Sequence, residues 1–345
     1  HIGIIYAVIS KLWRWGKGRL YFAATMTFFC CYAVLASFSP SVTRAVFMIG
    51  LHQFAILTNR RYDLYSAAFC TAAVMMMRNP MCIFNTGFQM SFLAVLTMMM
   101  VMPAAEKIYK GIFTASLSVQ AGLMPYVAYV FNYLSPGAVL VNVPVIFLTG
   151  IIVPMGLCAM VFSVSSDGLF SVVSAAAAGL CRMMTVLNHV SAADGVTVFE
   201  VTSPGKGTLA FYYMSLMVFL SEEGRLAIKR RGGKKFIPLM LSAVLLVSFS
   251  LGEICGSGFE KADLTFVDVG QGDCIHFRTE DGGNYFVDGG GSINYNVGKK
   301  VLKPYLLKNG VKKLDGAFVT HLHTDHYKGI AELCREGMIK RLYLY

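Results

Sequence analysis

Three imidazoles and a carboxylate fall within six residues, His321-Leu322-His323-Thr324-Asp325-His326, the densest set of metal-binding side chains in the chain. His321 and His323 are two apart on an extended segment, so both rings can turn to one side and share one ion. Asp325 and His326 follow on the turn into the next helix, within reach of a second ion close by. Imidazole with carboxylate suits Zn²⁺, and Mn²⁺ is the alternative divalent metal. Two ions about 3.5–4 Å apart would activate a bridging water and stabilise the leaving oxygen of a phosphodiester. With seven histidines in 345 residues, the pattern arises by chance on the order of once in ten thousand such chains. The expected ligands are His321, His323, Asp325 and His326, with Asp325 and His326 also carrying catalytic work.

The elements that must hold this loop can be read on either side of it. Leu264–Val269 alternates as a strand and stops at Gly270-Gln271-Gly272-Asp273; Cys274–Arg278 is its hairpin partner. Asn284–Val287 is a third strand, ended by Asp288-Gly289-Gly290-Gly291. A helix is expected from Val297 to Lys308, closed by Asn309-Gly310, and Ala317–Thr320 is a short strand running straight into the histidines. Strands alternating with a helix indicate an α/β domain. Asp268, Asp273 and Asp288 sit at glycine turns. Turn capping is the default for each, and orienting the histidines from behind is the functional alternative. His276, inside a strand, reads as a packed residue.

The rest of the chain is of another kind. Overall 56% of residues are hydrophobic and 14% charged, with mean hydropathy +0.58, whereas a soluble domain carries about 25% charged residues. Apolar runs recur at Leu20–Phe38, Met81–Met102, Gly111–Tyr133, Gly137–Phe162, Leu169–Leu187, Thr208–Leu220 and Phe236–Leu251. Shorter runs lie at Ile2–Trp13, Ala45–Leu57 and Leu64–Met77. A spanning helix needs about 20 apolar residues, so eight to ten membrane segments are expected, the short ones broken, tilted or re-entrant. The expected division is a polytopic helical membrane domain over 1–251, a linker over 252–262 and an incomplete α/β domain over 263–345.

Before Gly258 there are 18 Lys/Arg against 8 Asp/Glu; from there on, 12 against 11. The basic excess belongs to the membrane part, where the Lys/Arg bias of cytoplasmic loops explains it, ahead of attraction to a polyanion. Lys11, Arg14, Lys17 and Arg19 share one basic loop, and Arg225 to Lys235 form another. Placing both in the cytoplasm, with one crossing at Phe236–Leu251, puts the histidine loop outside it. Polar residues within apolar runs either tie helices together or line a pathway; Gln89, Gln120 and Asn142 are the candidates for lining one. Arg44 and His52, at the weak run Ala45–Leu57, suit an interfacial helix. The nine cysteines form no CxxC pair and read mostly as buried small hydrophobes. His1 in place of Met, and an end inside strand-like residues, predict a piece of a longer protein, from which no signal peptide can be read.

Together these segments resemble the ComEC-type competence proteins. Asp268-Val269-Gly270-Gln271-Gly272-Asp273, Asp288-Gly289-Gly290 and the histidine hexapeptide are similar to that family's metallo-β-lactamase-fold domain. Ser41-Val42-Thr43-Arg44-Ala45, Arg78-Asn79-Pro80 and Phe88-Gln89-Met90-Ser91-Phe92-Leu93 resemble its membrane domain, as do His1-Ile2-Gly3, the stretch from Gln120 to Tyr129 and Leu140-Val141-Asn142. The resemblance implies an αββα metallo-β-lactamase-like domain, and an inner-membrane channel that admits single-stranded DNA during natural transformation. It also implies a metal-dependent nuclease domain outside the membrane. Many family members replace the second histidine of the hexapeptide; His323 is present here. The ligands that complete a two-metal centre, a further His, a bridging Asp and another His, would lie after Tyr345.

Implied partners are single-stranded DNA, membrane lipid, other DNA-uptake components and a second copy of the chain. Two other readings stand beside the channel with a nuclease: a channel whose hydrolase domain is inactive, and a membrane-anchored hydrolase whose helices carry no substrate.

Overall fold

The computed structural model describes residues 2–13, 18–106, 110–191, 197–221 and 262–344. The expected segment Phe236–Leu251, the basic loop Arg225 to Lys235 and all but the last residue of the expected linker lie outside these residues. Contacts divide the chain into two units, one of 1–123 with 136–198 and one of 124–135 with 199–345.

The first unit is helical. Its helices are α1 (Ile2–Leu12), α2 (Arg19–Leu35), α3 (Pro40–Leu57), α4 (Leu64–Arg78), α5 (Thr86–Ala105), most of α6 (Phe113–Phe131), α7 (Ala138–Ser165) and α8 (Asp167–Ser191). Of these, α5, α7 and α8 are long and apolar enough to cross a membrane. Polarity is inverted relative to a water-soluble protein. Thr25, Thr43, Gln53, Thr71, Ser91 and Thr97 are buried, while Leu35, Phe69, Met77, Val164 and Val190 are exposed. Hydroxyls such as Thr25, Thr71 and Thr97 bond the carbonyl four residues back, which satisfies them inside their own helix. An apolar exterior over buried hydroxyls that mostly bond their own helix suits lipid as the solvent.

Two expectations for this unit need correction. The run Met81–Met102 is not one helix. A 3₁₀ turn at Pro80–Phe84 precedes α5, because the Asn79 side chain caps the turn and the Asn85 side chain accepts the Phe88 N–H to start a new helix. The weak run Ala45–Leu57 begins earlier, at Pro40 in the first turn of α3, so Arg44 and His52 lie inside a helix that packs against its neighbours. His52 takes the Tyr6 hydroxyl at 3.2 Å and packs edge-on against Tyr62.

The second unit is built on a mixed five-stranded sheet in the order β3 (Asp263–Phe266), β4 (Ile275–Arg278), β5 (Asn284–Val287), β6 (Gly316–Val319), β7 (Leu342–Leu344). The first three strands are antiparallel neighbours; β6 and β7 add in parallel. A π-helical turn at Gly298–Leu302 leads into α10 (Lys303–Lys308), and α11 (Thr324–Arg335) follows β6. Phe286, Leu302, Leu306, Leu314, Ile330 and Leu333 form its dry core. His276 is buried in β4 between Tyr305 and Asn284, so it is a packed residue. Phe277, Tyr285, Phe318 and Tyr343 stack in a row across the sheet, with Phe318 and Tyr343 rings 4.6 Å apart.

The same unit includes a small strand pair, β1 (Tyr133–Leu134) with β2 (Phe199–Glu200), ahead of α9 (Lys206–Leu220). Asn132 donates to the Ser203 hydroxyl, and the Ser203 N–H donates to the Leu307 carbonyl. Lys303, almost fully buried, joins Glu200 at 2.6 Å to Glu336 at 2.7 Å. Burial alone would lower the Lys303 ammonium, but the two carboxylates outweigh it and raise it; Lys303 in turn holds the Glu336 carboxyl below the usual range. A raised Lys contributes stability below its unfolded value and loses it as pH rises through the folded one. A depressed Glu contributes above its unfolded value and loses it as pH falls through the folded one. The bridge therefore acts from about pH 4 to about pH 10.

Two consequences are measurable. Both glutamates are partly exposed, so Lys303→Met costs less than a fully buried pair would, about 2 kcal/mol. In urea unfolding the deficit is flat through neutrality and shrinks below about pH 4; a deficit independent of pH there contradicts the bridge. At Gly272 (φ +85°) an added Cβ would overlap the Asp325 carbonyl, so Gly272→Ala destabilises by about 2 kcal/mol or more. Burial, with Asp288 adding to it, pushes the nearby Cys274 thiol up to about 12, which makes that thiol a reporter of opening. Maleimide labelling of Cys274 is expected to speed up about thirty-fold in Gly272→Ala.

Candidate metal-binding site

The histidine loop leaves the carboxyl end of β6 and turns into α11, with His323 at the N-cap and Asp325 in the first turn, where an acidic side chain suits the helix dipole. Two other turns close on it. The Gly289 N–H donates to the His326 carbonyl at 2.8 Å and the Gly329 N–H to the Gly290 carbonyl at 3.0 Å. The Gly290 N–H donates in turn to the Asp273 carbonyl at 2.9 Å. The loops around 270–273 and 288–291 are thereby tied to the start of α11.

At the centre is Asp288, buried and held at φ +54°, a left-handed conformation that Asp tolerates better than most residues. Its Oδ1 accepts the Thr320 N–H at 2.9 Å; its Oδ2 accepts the Thr320 hydroxyl at 2.6 Å and faces His326 Nδ1 at 3.0 Å. Burial would push this carboxyl up, but the Thr320 and His326 hydrogen bonds outweigh it and hold it below the usual carboxylate range.

These bonds assign the tautomers. A carboxylate has no proton to give, so His326 Nδ1 is the donor and its Nε2 carries the lone pair. The Thr320 hydroxyl has spent its only proton on Asp288, so at His321 Nδ1, 3.0 Å away, the ring is again the donor. His321 likewise presents Nε2 as acceptor. The two rings lie 3.9 Å apart between centroids, and His323 stands 4.8 Å from His321. Asp325 Oδ2 lies 4.0 Å from His326 Nε2, and the group opens to solvent at His321 and His323. The donor set fits a divalent ion in chemistry and in protonation. Among the described residues, however, no three His, Cys, Asp or Glu side chains close on a common centre.

The other expected residues are spread out. Asp268 Oδ1 accepts the Gly270 N–H and so caps its own turn. Asp273 bonds the Asp288 loop through its main chain only. Gln89 donates to the Ile83 carbonyl at 2.7 Å, bracing the 3₁₀ turn. Gln120 and Asn142 are half-buried on α6 and α7. Sequence reasoning missed Thr320, whose amide and hydroxyl both serve Asp288; its place directly before His321 was the available signal.

Known proteins match this chain in two parts. A family model described as "Competence protein" matches residues 1–225, and one described as "Metallo-beta-lactamase superfamily" matches residues 267–344. "ComE operon protein 3" of Bacillus subtilis (strain 168) is 25% identical over 371 aligned positions, covering 99% of this chain and 46% of its own length. An "Uncharacterized protein" of Aquifex aeolicus (strain VF5) is 27% identical over 144 positions, covering 41% of this chain and 34% of its own length. The chain thus spans less than half the length of either relative. No solved structure matches. With its helical part matched over residues 1–225 and a sheet carrying the histidine loop matched over 267–344, the chain belongs to the competence protein family and carries a metallo-β-lactamase-superfamily domain.

Proposed function

We propose that this chain forms the helical channel and part of the nuclease domain of a single-stranded DNA uptake system in the bacterial inner membrane. The hydrolase domain lies outside the cytoplasm. The observation that carries the enzymatic half is the Asp288 network, which turns Nε2 of both His321 and His326 into acceptors on adjoining rings. A solvated histidine loop has no need of this arrangement, whereas metal ligation requires it.

His321, His323, Asp325 and His326 would hold divalent metal, Zn²⁺ or Mn²⁺, as one side of a two-ion centre. Bound there, it would supply the water activation and oxyanion stabilisation of phosphodiester hydrolysis. Thr320 and Asp288 fix ring orientation. Asp325, on the open side, is placed to take a proton from the attacking water.

Two features support the extracytoplasmic side. The contacts of Ser203 with Leu307 and of Glu200 with Lys303 tie the five-stranded sheet to the segment just before α9, which favours both lying on one side. With the basic residues Arg225 to Lys235 taken as cytoplasmic, the single crossing expected at Phe236–Leu251 would carry the chain to the other side. The positive loop and the hydrolase thus fall on opposite sides. Gln120 and Asn142 remain the expected lining of the DNA path.

Full-length protein loaded with Zn²⁺ or Mn²⁺ is expected to cleave single-stranded DNA, and His323→Ala to abolish cleavage. Retained cleavage in that variant refutes the site, and a metal-loaded wild type without activity favours a channel with a silent hydrolase. Asp288→Asn keeps the left-handed turn but confronts His326 Nδ1 with an amide, so metal affinity should fall about 10- to 100-fold with the fold intact. For topology, Glu280→Cys in the exposed β4–β5 turn should react with an impermeant maleimide on intact spheroplasts, and Lys234→Cys should not. The reverse pattern inverts the assignment.

A further inference from the structure

We infer that Arg44, inside the helical unit, is a binding site for the phosphodiester backbone of a single strand. α3 is the hub of its neighbourhood, touching α1, α2, α4 and α5, and Arg44 projects from it toward α5. There its Nη1 donates to the Ser91 carbonyl and its guanidinium lies 6.0 Å from the centre of the Phe92 ring. No carboxylate pairs with it among the described residues. Its Nε is buried without a partner, and so is the hydroxyl of Ser91, a residue 8% exposed. A cation and two unspent donors face each other where apolar helices meet.

An always-charged guanidinium inside an apolar bundle is expensive unless an anion meets it. One carbonyl does not neutralise it. The missing partner is an anion with several acceptor oxygens, able to take Nε–H and the Ser91 O–H together, and a phosphodiester meets that description. Arg44 also stays partly open, so the site can be entered. The assignment rests on the channel reading above for the source of the phosphodiester. A lipid headgroup offers the same chemistry, and the experiment separates the two.

Full-length protein in phospholipid-free detergent with EDTA would be titrated with fluorescein-labelled oligo(dT), following anisotropy over a range of NaCl concentrations. For wild type, log K should fall linearly with log salt. Arg44→Gln, which keeps an N–H for the Ser91 carbonyl, should reduce that slope by about 0.7, the share of one phosphate on a single strand. Arg44→Lys should restore it. A merely structural role leaves the slope unchanged, and an unchanged slope overturns the assignment.

Should Arg44→Gln fail to accumulate, phenylglyoxal modification of wild type read by mass spectrometry replaces it. Protection of Arg44 by oligo(dT) supports the site. Equal modification with and without the strand overturns it, as does no modification at all, because a closed group cannot meet a strand. Protection by phosphatidylglycerol alone, with none by oligo(dT), assigns the group to lipid and also overturns the proposal. A wild type that binds no oligo(dT) under any condition defeats the channel reading itself, whereas a bound strand indifferent to Arg44 defeats only this site.

Discussion

A single buried carboxylate governs the geometry of the histidine loop. Asp288 takes the amide and the hydroxyl of Thr320 and the Nδ1–H of His326, and it does so from a left-handed backbone that costs about 1 kcal/mol or more to maintain. That cost is met because the chain on both sides is pinned: Val287 by the parallel ladder to β6, and Gly289 by the His326 carbonyl. A residue satisfied by three donors stays ionised, and an ionised Asp288 dictates which nitrogen of each facing ring is free. Loop position, ring orientation and tautomer therefore follow from one side chain.

The two units answer to different solvents. In the helical unit the exposed surface is leucine, valine, methionine and phenylalanine while hydroxyls and amides turn inward, because lipid offers no hydrogen bonds and the interior must supply them. Around the five-stranded sheet the familiar order returns, with Phe286, Leu302 and Leu333 inside and most lysines outside. Lys303 is the exception, a buried cation held by two glutamates from distant parts of the chain. Arg44 is its counterpart in the helical unit, with the carboxylates missing.

Much of this was legible from local pattern. The strands around Phe266, Phe277 and Phe286 alternate with period two, and the histidines sit where a strand hands over to a helix, so element type and the place of the histidine loop were readable. Long-range pairing was not. The helix expected from Val297 begins as a π turn because the Gly298 N–H is taken by Glu332 from α11, thirty-four residues on. The service of Thr320 to Asp288, the clamp of Lys303 on Glu200 and the burial of Arg44 against Ser91 likewise join residues that no window of periodicity contains. Asp268 shows the converse. Its glycine turn carries the same signature as that of Asp288, yet its carboxylate closes its own loop, and only tertiary contact tells the two apart.

The strand pair β1–β2 and the clamp on Glu200 also carry a schedule for synthesis. Tyr133 pairs with Glu200 only after the intervening helices α7 and α8 have left the ribosome. Lys303 follows Glu200 by roughly a hundred residues, which is about 5–20 s of elongation at typical rates. During that interval Glu200 is in place with nothing to hold. The five-stranded sheet, made after Glu200, is then received by a segment set before it, so its assembly is templated by chain already made.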